Sequence, residues 1–277
     1  MRIGTFLSIP SVAAAEERFT YLRELGFDCC QVSHSPPVHN PVEAHIMREA
    51  ADKLGVEISA MSCGNGDGNA IWDHWLGYLT QGVNSTVFGA KRIEYVKNGA
   101  RFAHELGVKD LIIHPGFIPN NPFAPEYNSM LAAVELIARE CGRLGLNLLF
   151  ETGGESPIAI LRLITDLGRS NVMVNLDPAN LITSGYGNPV DAVYTIGKYI
   201  RHMHAKDGMP PTDPRKNGVE TKLGEGRVDF PELFRQLHRI GYDRYVIIER
   251  EISGEQQRID IKESKIYLEN LIKEIYG

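Results

Sequence analysis

Residues 146–177 read LNLLFETGGESPIAILRLITDLGRSNVMVNLD, which is one strand–helix–strand unit. The apolar run 146–151 has the length of a buried strand and closes on Glu151. Ser156 followed by Pro157 pairs an N-cap residue with a proline at the first helical position. A second apolar run, 172–177, closes on Asp177. Strands joined through a helix lie parallel, and a parallel sheet is covered on both faces. Its strands therefore read as short continuous apolar runs, as these two do.

The unit recurs along the chain. Runs 3–6, 29–33, 57–61, 111–114, 146–151, 172–177, 200–206 and 245–249 are strand candidates. Helical patterns at 14–25, 42–54, 93–106 and 130–144 are each followed by a glycine (Gly26, Gly55, Gly107, Gly145), the residue that most readily takes a left-handed cap. Asn188-Pro189 repeats the helix-start pair, and Asp229 with Glu232 has capping-box spacing before 233–240. Eight repeats fit a closed (β/α)8 TIM barrel better than an open doubly wound sheet, and the length of 277 residues suits such a barrel. No GxGxxG follows the first strand, which disfavours a dinucleotide fold. With no linker or low-complexity stretch, residues 1–277 are expected to form a single domain.

Composition narrows the function. A formal net charge of -6 and a pI near 5.9 speak against binding to a phosphate backbone. Cys29, Cys30, Cys63 and Cys141 make no CxxC pair, and the adjacent pair is poorly placed for a disulfide. All four are expected to be reduced core thiols. No sustained apolar run reaches membrane-span length, and the N-terminus does not read as a signal peptide. A soluble cytoplasmic protein is expected.

The chemistry sits at the ends of the last four strands. These carry Glu151, Asp177, His204 and Glu249, one from each strand–helix unit. Three carboxylates and an imidazole suit one divalent metal ion, Mn2+ first and Co2+, Zn2+ or Mg2+ as alternatives. A cation also relieves the cost of crowding acids into a partly dry barrel mouth. His202 shares a face with His204 by period-two alternation but lies one layer deeper, and Glu251 lies one step beyond Glu249. His204 and Glu249 are preferred for their position at the rim.

Further residues fall on the same face. His34 and His114 end the second and fourth strands and are candidates for holding hydroxyls, as is Glu155, whose alternative is a helix-start acid. Long connections at 62–90 and 208–228 flank the mouth. The first carries Trp72-Asp73-His74-Trp75, where Trp75 is a candidate aromatic cover for the mouth and packing of the cluster on a short loop helix is the favoured alternative. Lys206 and Arg227, beside the second, suit either an anionic group or rim salt bridges. Gly64-Asn65-Gly66 and Ser184-Gly185-Tyr186-Gly187 read as turns and leave open whether a substrate carries phosphate.

The stretches FETGGES, NLDPANL with SGYG, HMHAKD, LGEGRVDFPELF and VIIERE resemble the xylose-isomerase-like TIM-barrel superfamily, in particular its sugar phosphate isomerase/epimerase branch. The resemblance covers nearly the whole chain. It implies that Glu151, Asp177, His204 and Glu249 are metal ligands, and that Glu151 and Glu249 are also an acid/base pair on opposite faces of a sugar. It implies isomerisation or epimerisation by proton transfer beside a carbonyl, through an enediolate held on the metal. One position departs: some relatives place histidine three residues after the strand-six acid, where Asn180 stands here. Asn180 can hydrogen-bond a hydroxyl but cannot titrate. The alternatives are a lyase, inosose dehydratase-like or C-glycoside-cleaving, then a noncatalytic sugar-binding barrel. An endonuclease-IV-like nuclease is disfavoured by the acidic charge and sparse histidines. The expected partner is a small-molecule sugar or sugar derivative, with no nucleic acid and no membrane; a homo-oligomer is compatible with the sequence.

Overall fold

The computed structural model describes residues 1–73 and 76–277. Eight parallel strands close into a barrel: β1 (Arg2–Ser8), β2 (Cys29–Ser33), β3 (Glu57–Ser62), β4 (Asp110–Ile113), β5 (Asn147–Glu151), β6 (Val172–Leu176), β7 (Ile200–Ala205) and β10 (Tyr245–Ile248). Neighbours follow chain order, and β1 pairs with β10 to close the ring. The (β/α)8 expectation holds, with boundaries moved by one or two residues. His114, Asp177, Lys206 and Glu249 each lie just past their strand rather than in it.

Helices α1 (Ala15–Glu24), α2 (Ala44–Leu54), α4 (Gly89–Leu106), α5 (Pro125–Arg143), α6 (Pro157–Leu167), α8 (Pro189–Ile196), α9 (Phe230–Arg239) and α10 (Glu255–Tyr276) follow the barrel strands. Their apolar faces pack on the outer barrel wall, with Phe19, Met47, Phe102, Ile137, Leu163, Phe234 and Leu268 buried. Gly55 and Gly107 end α2 and α4 at φ 62° and 91°, where a side chain would be strained. Asn188 and Asp229 cap α8 and α9 through Val190 N and Glu232 N. Ser156, expected to cap α6, makes no side-chain cap bond.

The barrel interior is layered. A dry layer of Ala60, Ile112, Leu149 and Met173 fills part of it. Other inward residues are polar, and Gln31, Ser59, Asn175, His202 and His204 are all buried. Polar groups at that depth need partners, and most find them in one another, while Gln31 Nε2 and His204 Nδ1 are left without a hydrogen bond.

Structure beyond the eight strand–helix units lies in the connections. The described residues of the first long connection, 62–73 and 76–90, contain a short helix, α3 (Gly77–Thr80). They are pinned by fully buried Arg92, whose guanidinium meets both Asp67 oxygens at 2.8 and 3.0 Å and the carbonyls of Thr80 and Gly82. Strand β6 runs straight into α7 (Pro178–Ser184). Residues 208–228, read as open loop, include most of a hairpin of β8 (Asp207–Met209) with β9 (Val219–Thr221). Asp207 organises it. Its buried carboxylate accepts from Gly208, Gly224, Gly226 and Val228 N–H groups at 2.8–3.0 Å. This is the physical basis of the LGEGRVD stretch: a Cβ at Gly226 would collide with that carboxylate. Asp207→Ala strands four donors, and chemical denaturation is expected to show a loss of about 3 kcal/mol. A change under about 0.5 kcal/mol, the range of ordinary surface substitutions, would contradict this role.

Candidate metal centre

Each member of the cluster arrives from a different strand end. Glu151 is the last residue of β5 and is buried. Asp177 follows β6 and caps α7, one oxygen accepting from Asn180 N at 2.9 Å. His204 is the penultimate residue of β7. Glu249 follows β10, its N–H bonded to Ala205 O at 3.2 Å. One ligand atom from each of the four lies within 4.8 Å of the others. His204 Nδ1 is the hub, 3.3 Å from Glu151 Oε1, 3.5 Å from Asp177 Oδ2 and 3.0 Å from Glu249 Oε2.

The donor set fits a divalent cation. Asp177 Oδ2 and His204 Nδ1 are fully buried, yet neither has a hydrogen bond of acceptable geometry. Buried polar atoms without a hydrogen bond are costly and rare, and Asp177 Oδ2 has only ion-pair contacts, at 3.5 Å to His204 Nδ1 and 3.6 Å to Lys206 Nζ, so two such atoms converging on one point mark a place for a cation. The charges agree. Burial works against ionisation of Glu151, but His114 and His204 outweigh it and hold its pKa well below the usual carboxylate range. Burial likewise opposes the charge on Glu249, while Lys206 and His204 hold its pKa at about 2. For His204 burial is again outweighed, by Glu151 and Glu249, and its pKa rises well above the ordinary value. The carboxylates thus stay charged and draw positive charge inward.

A cavity of about 630 Å³ opens above the cluster. Glu151, Glu249, His114, Glu155, Asn180 and Lys206 all line it. His114 Nε2 sits 3.4 Å from Glu151 Oε1, and its ring meets Trp72 edge-on at 4.9 Å. Asn180 Nδ2 is 3.4 Å from Glu151 Oε1 and 3.1 Å from Thr152 O. Glu155 accepts from Gly153 N at 3.0 Å and has no cation within salt-bridge distance among the described residues. Burial lifts its pKa to about 7 against the pull of His114. Lys206 is buried and engaged: Nζ donates to Glu251 Oε1 at 2.6 Å, to Glu249 Oε2 at 3.2 Å and to Asn180 Oδ1 at 3.4 Å.

Three expectations fare differently. His34 does not face the mouth: it is buried, bonds Ile9 O through Nδ1 at 2.8 Å and packs on Phe102 of α4. The chain turns after Ser33, so Ser33 and Ser35 line the cavity instead. Arg227 is exposed and off the cavity wall, its backbone N–H bonded to Gly208 O. Trp75 and His74 lie outside the described residues. Glu220, on β9, lines the cavity and was not singled out, since its hairpin was not foreseen. Glu251, with its side chain 58% exposed, pairs with Lys206 rather than joining the cluster.

A family model described as a xylose isomerase-like TIM barrel matches residues 19–271, and the chain belongs to that family. A crystal structure of a xylose isomerase domain protein from Planctomyces limnophilus superposes with a TM-score of 0.90 at 29% identity, over 99% of this chain and 98% of that one. Among curated relatives, the uncharacterized protein MJ1311 of Methanocaldococcus jannaschii is 29% identical over 57% of this chain and 56% of its own length. The inosose dehydratase of Lacticaseibacillus casei is 23% identical over 54% and 60%. The chain thus spans little more than half the length of these two relatives. The 3-dehydro-D-guloside 4-epimerase of Escherichia coli K12 is 21% identical over 97% of this chain and 99% of that protein. Among the described residues, no helix is long and apolar enough to cross a membrane.

Proposed function

We propose that this member of the xylose isomerase-like TIM barrel family is a divalent-metal-dependent isomerase or epimerase acting beside the carbonyl of an uncharged sugar or cyclitol. The carrying observation is the pair Glu151 and Glu249. They stand on β5 and β10, with two strands, β6 and β7, between them around the rim, and with ionised carboxylates in one cavity. Glu151, Asp177, His204 and Glu249 would hold the ion, which when bound supplies Lewis acidity to a carbonyl and its neighbouring hydroxyl. One glutamate takes the proton from the carbon beside the carbonyl. The other returns a proton to the opposite face, which epimerises that carbon, or to the adjacent carbon, which isomerises the sugar. His114 and Asn180, both beside Glu151, orient substrate hydroxyls, and Trp72 covers the mouth beside His114.

The wall argues against phosphate. Lys206 is its single Lys or Arg among the described residues, and its ammonium is committed to Glu249 and Glu251. Five glutamates, Glu151, Glu155, Glu220, Glu249 and Glu251, line the same space. Apart from the metal itself and His114, a phosphate there would meet carboxylates and an ammonium already engaged, which like-charge repulsion in a low-dielectric cavity penalises. Metal-loaded protein incubated in D2O with ketoses, inososes and their phosphates tests this by NMR. Deuterium should enter the carbon beside the carbonyl of an unphosphorylated compound. Exchange confined to phosphorylated compounds would overturn the neutral-substrate reading, and no exchange at full metal occupancy would overturn the reaction class.

A lyase reading has one observation in its favour. Elimination needs an acid for the departing oxygen, and Glu155 is a buried carboxyl on the cavity wall whose pKa near 7 keeps much of it protonated at neutral pH. Product mass separates the readings, since elimination loses water or an aglycone. Under the isomerase reading Glu155→Gln keeps deuterium exchange within about tenfold, whereas a lyase loses about 10²-fold or more of its elimination rate.

A further inference from the structure

Below the cluster, polar side chains run in single file through the barrel interior. Ser59 Oγ lies 3.0 Å from Cys30 O and 3.0 Å from His202 Nε2. His202 Nδ1 lies 3.1 Å from one end of the Asn175 amide, and the other end lies 3.1 Å from His204 Nε2. Gln31 Oε1 approaches that same His204 nitrogen at 2.8 Å. The strands are deformed where this happens. Pairing between β2 and β3 steps from Cys30↔Ile58 to Gln31↔Ala60, leaving Ser59 as the extra residue. Pairing between β6 and β7 steps from Val174↔Ile200 to Asn175↔His202. Such irregularities re-aim side chains, and both occur at members of this chain.

Donor counting gives the chain a direction. Cys30 O can only accept, so the one hydroxyl hydrogen of Ser59 goes to it, and a Ser59 lone pair faces His202. His202 Nε2 must then carry the ring proton. No carboxylate contacts His202 among the described residues, so the ring is neutral and Nδ1 is an acceptor. Asn175 must therefore present its NH2 to His202 and its oxygen to His204. As placed, Oδ1 faces His202 and Nδ2 faces His204; the two ends have the same shape, and the donor count calls for the reverse. With the oxygens of Asn175 and Gln31 both at His204 Nε2, the proton stays on that nitrogen. Once a cation replaces the proton that the three carboxylates attract to Nδ1, the Nδ1 lone pair points at that cation.

We propose that Ser59, His202 and Asn175 are positioning residues: a hydrogen-bond chain anchored on Cys30 O that keeps the His204 proton on Nε2 and so makes Nδ1 the nitrogen that exchanges its proton for metal. The assignment of His204 rests on the metal reading above; the direction of the chain does not. Two-bond 1H–15N spectra of histidine-labelled protein show which ring nitrogen carries the proton, with and without Zn2+. His202 should be the Nε2–H tautomer in both states, and His204 should be so in the zinc form. Asn175→Leu, which breaks the chain without adding charge, should lower Zn2+ affinity about 10–100-fold, as loss of such outer partners does. Ser59→Ala leaves the cluster intact and should give His202 a mixture of tautomers. His202 carrying its proton on Nδ1 in the unsubstituted protein overturns the chain. Asn175→Leu folding normally with Zn2+ affinity changed less than about twofold overturns its effect on the metal. Failure of the unsubstituted protein to bind Zn2+ overturns the metal reading and the His204 assignment together, while the His202 tautomer still reports on the chain.

Discussion

Glu249→Gln, assayed at saturating metal with occupancy checked, is expected to lose about 10²–10⁴-fold in turnover while the fold persists, and Glu151→Gln the same. Glutamine keeps the shape and one oxygen of glutamate but cannot accept the substrate proton. Both carboxylates are held charged at neutral pH, Glu249 by Lys206 and His204 and Glu151 by His114 and His204, against the cost of burial. Each is therefore ready to act as a base without first losing a proton. Proton transfer belongs to the transition state, so kcat should fall far more than substrate affinity. Amides are poorer ligands than carboxylates, which makes the occupancy check essential. Near-normal deuterium exchange by both metal-loaded variants would remove this pair from the chemistry and leave His114 and Glu155 as the ionisable groups to test next.

The second large effect separates the two histidines of β7. His204→Ala should weaken metal binding by at least about 100-fold, because it removes the hub of the cluster. His202→Ala should weaken it less, since that ring reaches His204 only through Asn175. Isothermal titration with Mn2+ or Zn2+ measures both. If His202→Ala abolishes binding and His204→Ala does not, the strand register used to place the cluster is wrong by two residues.

The barrel was legible because each unit repeats the same pattern, a short apolar run followed by an amphipathic helix, whatever the length of the connection between them. The cluster was legible because Glu151, Asp177, His204 and Glu249 interrupt four apolar runs at equivalent points, and an acid or histidine there stands out. The residues beneath it do not stand out. Asn175 sits inside VMVNLD and Gln31 inside CCQVS, where each reads as one polar residue in a strand. Their inward aim goes with register steps that period-two alternation does not encode. His34 was misplaced for a related reason: a strand-end position says which rim a residue is near, and the turn after Ser33 decides which way it faces. The β8–β9 hairpin went unread because it is held by one carboxylate and four backbone N–H groups, a pattern without hydrophobic periodicity. Glu220 and the commitment of Lys206 to Glu251 followed from that hairpin and from the fold, and so were hidden with it.

The central claim is that four side chains from four strand ends form one cation site. Elemental analysis of gently purified protein, followed by titration of chelator-stripped protein with Mn2+, Co2+, Zn2+ and Mg2+, measures it most directly. The account predicts binding that saturates near one equivalent per chain for at least one of these ions, and its loss in His204→Ala. Saturable binding by none of the four ions to correctly folded protein would contradict it.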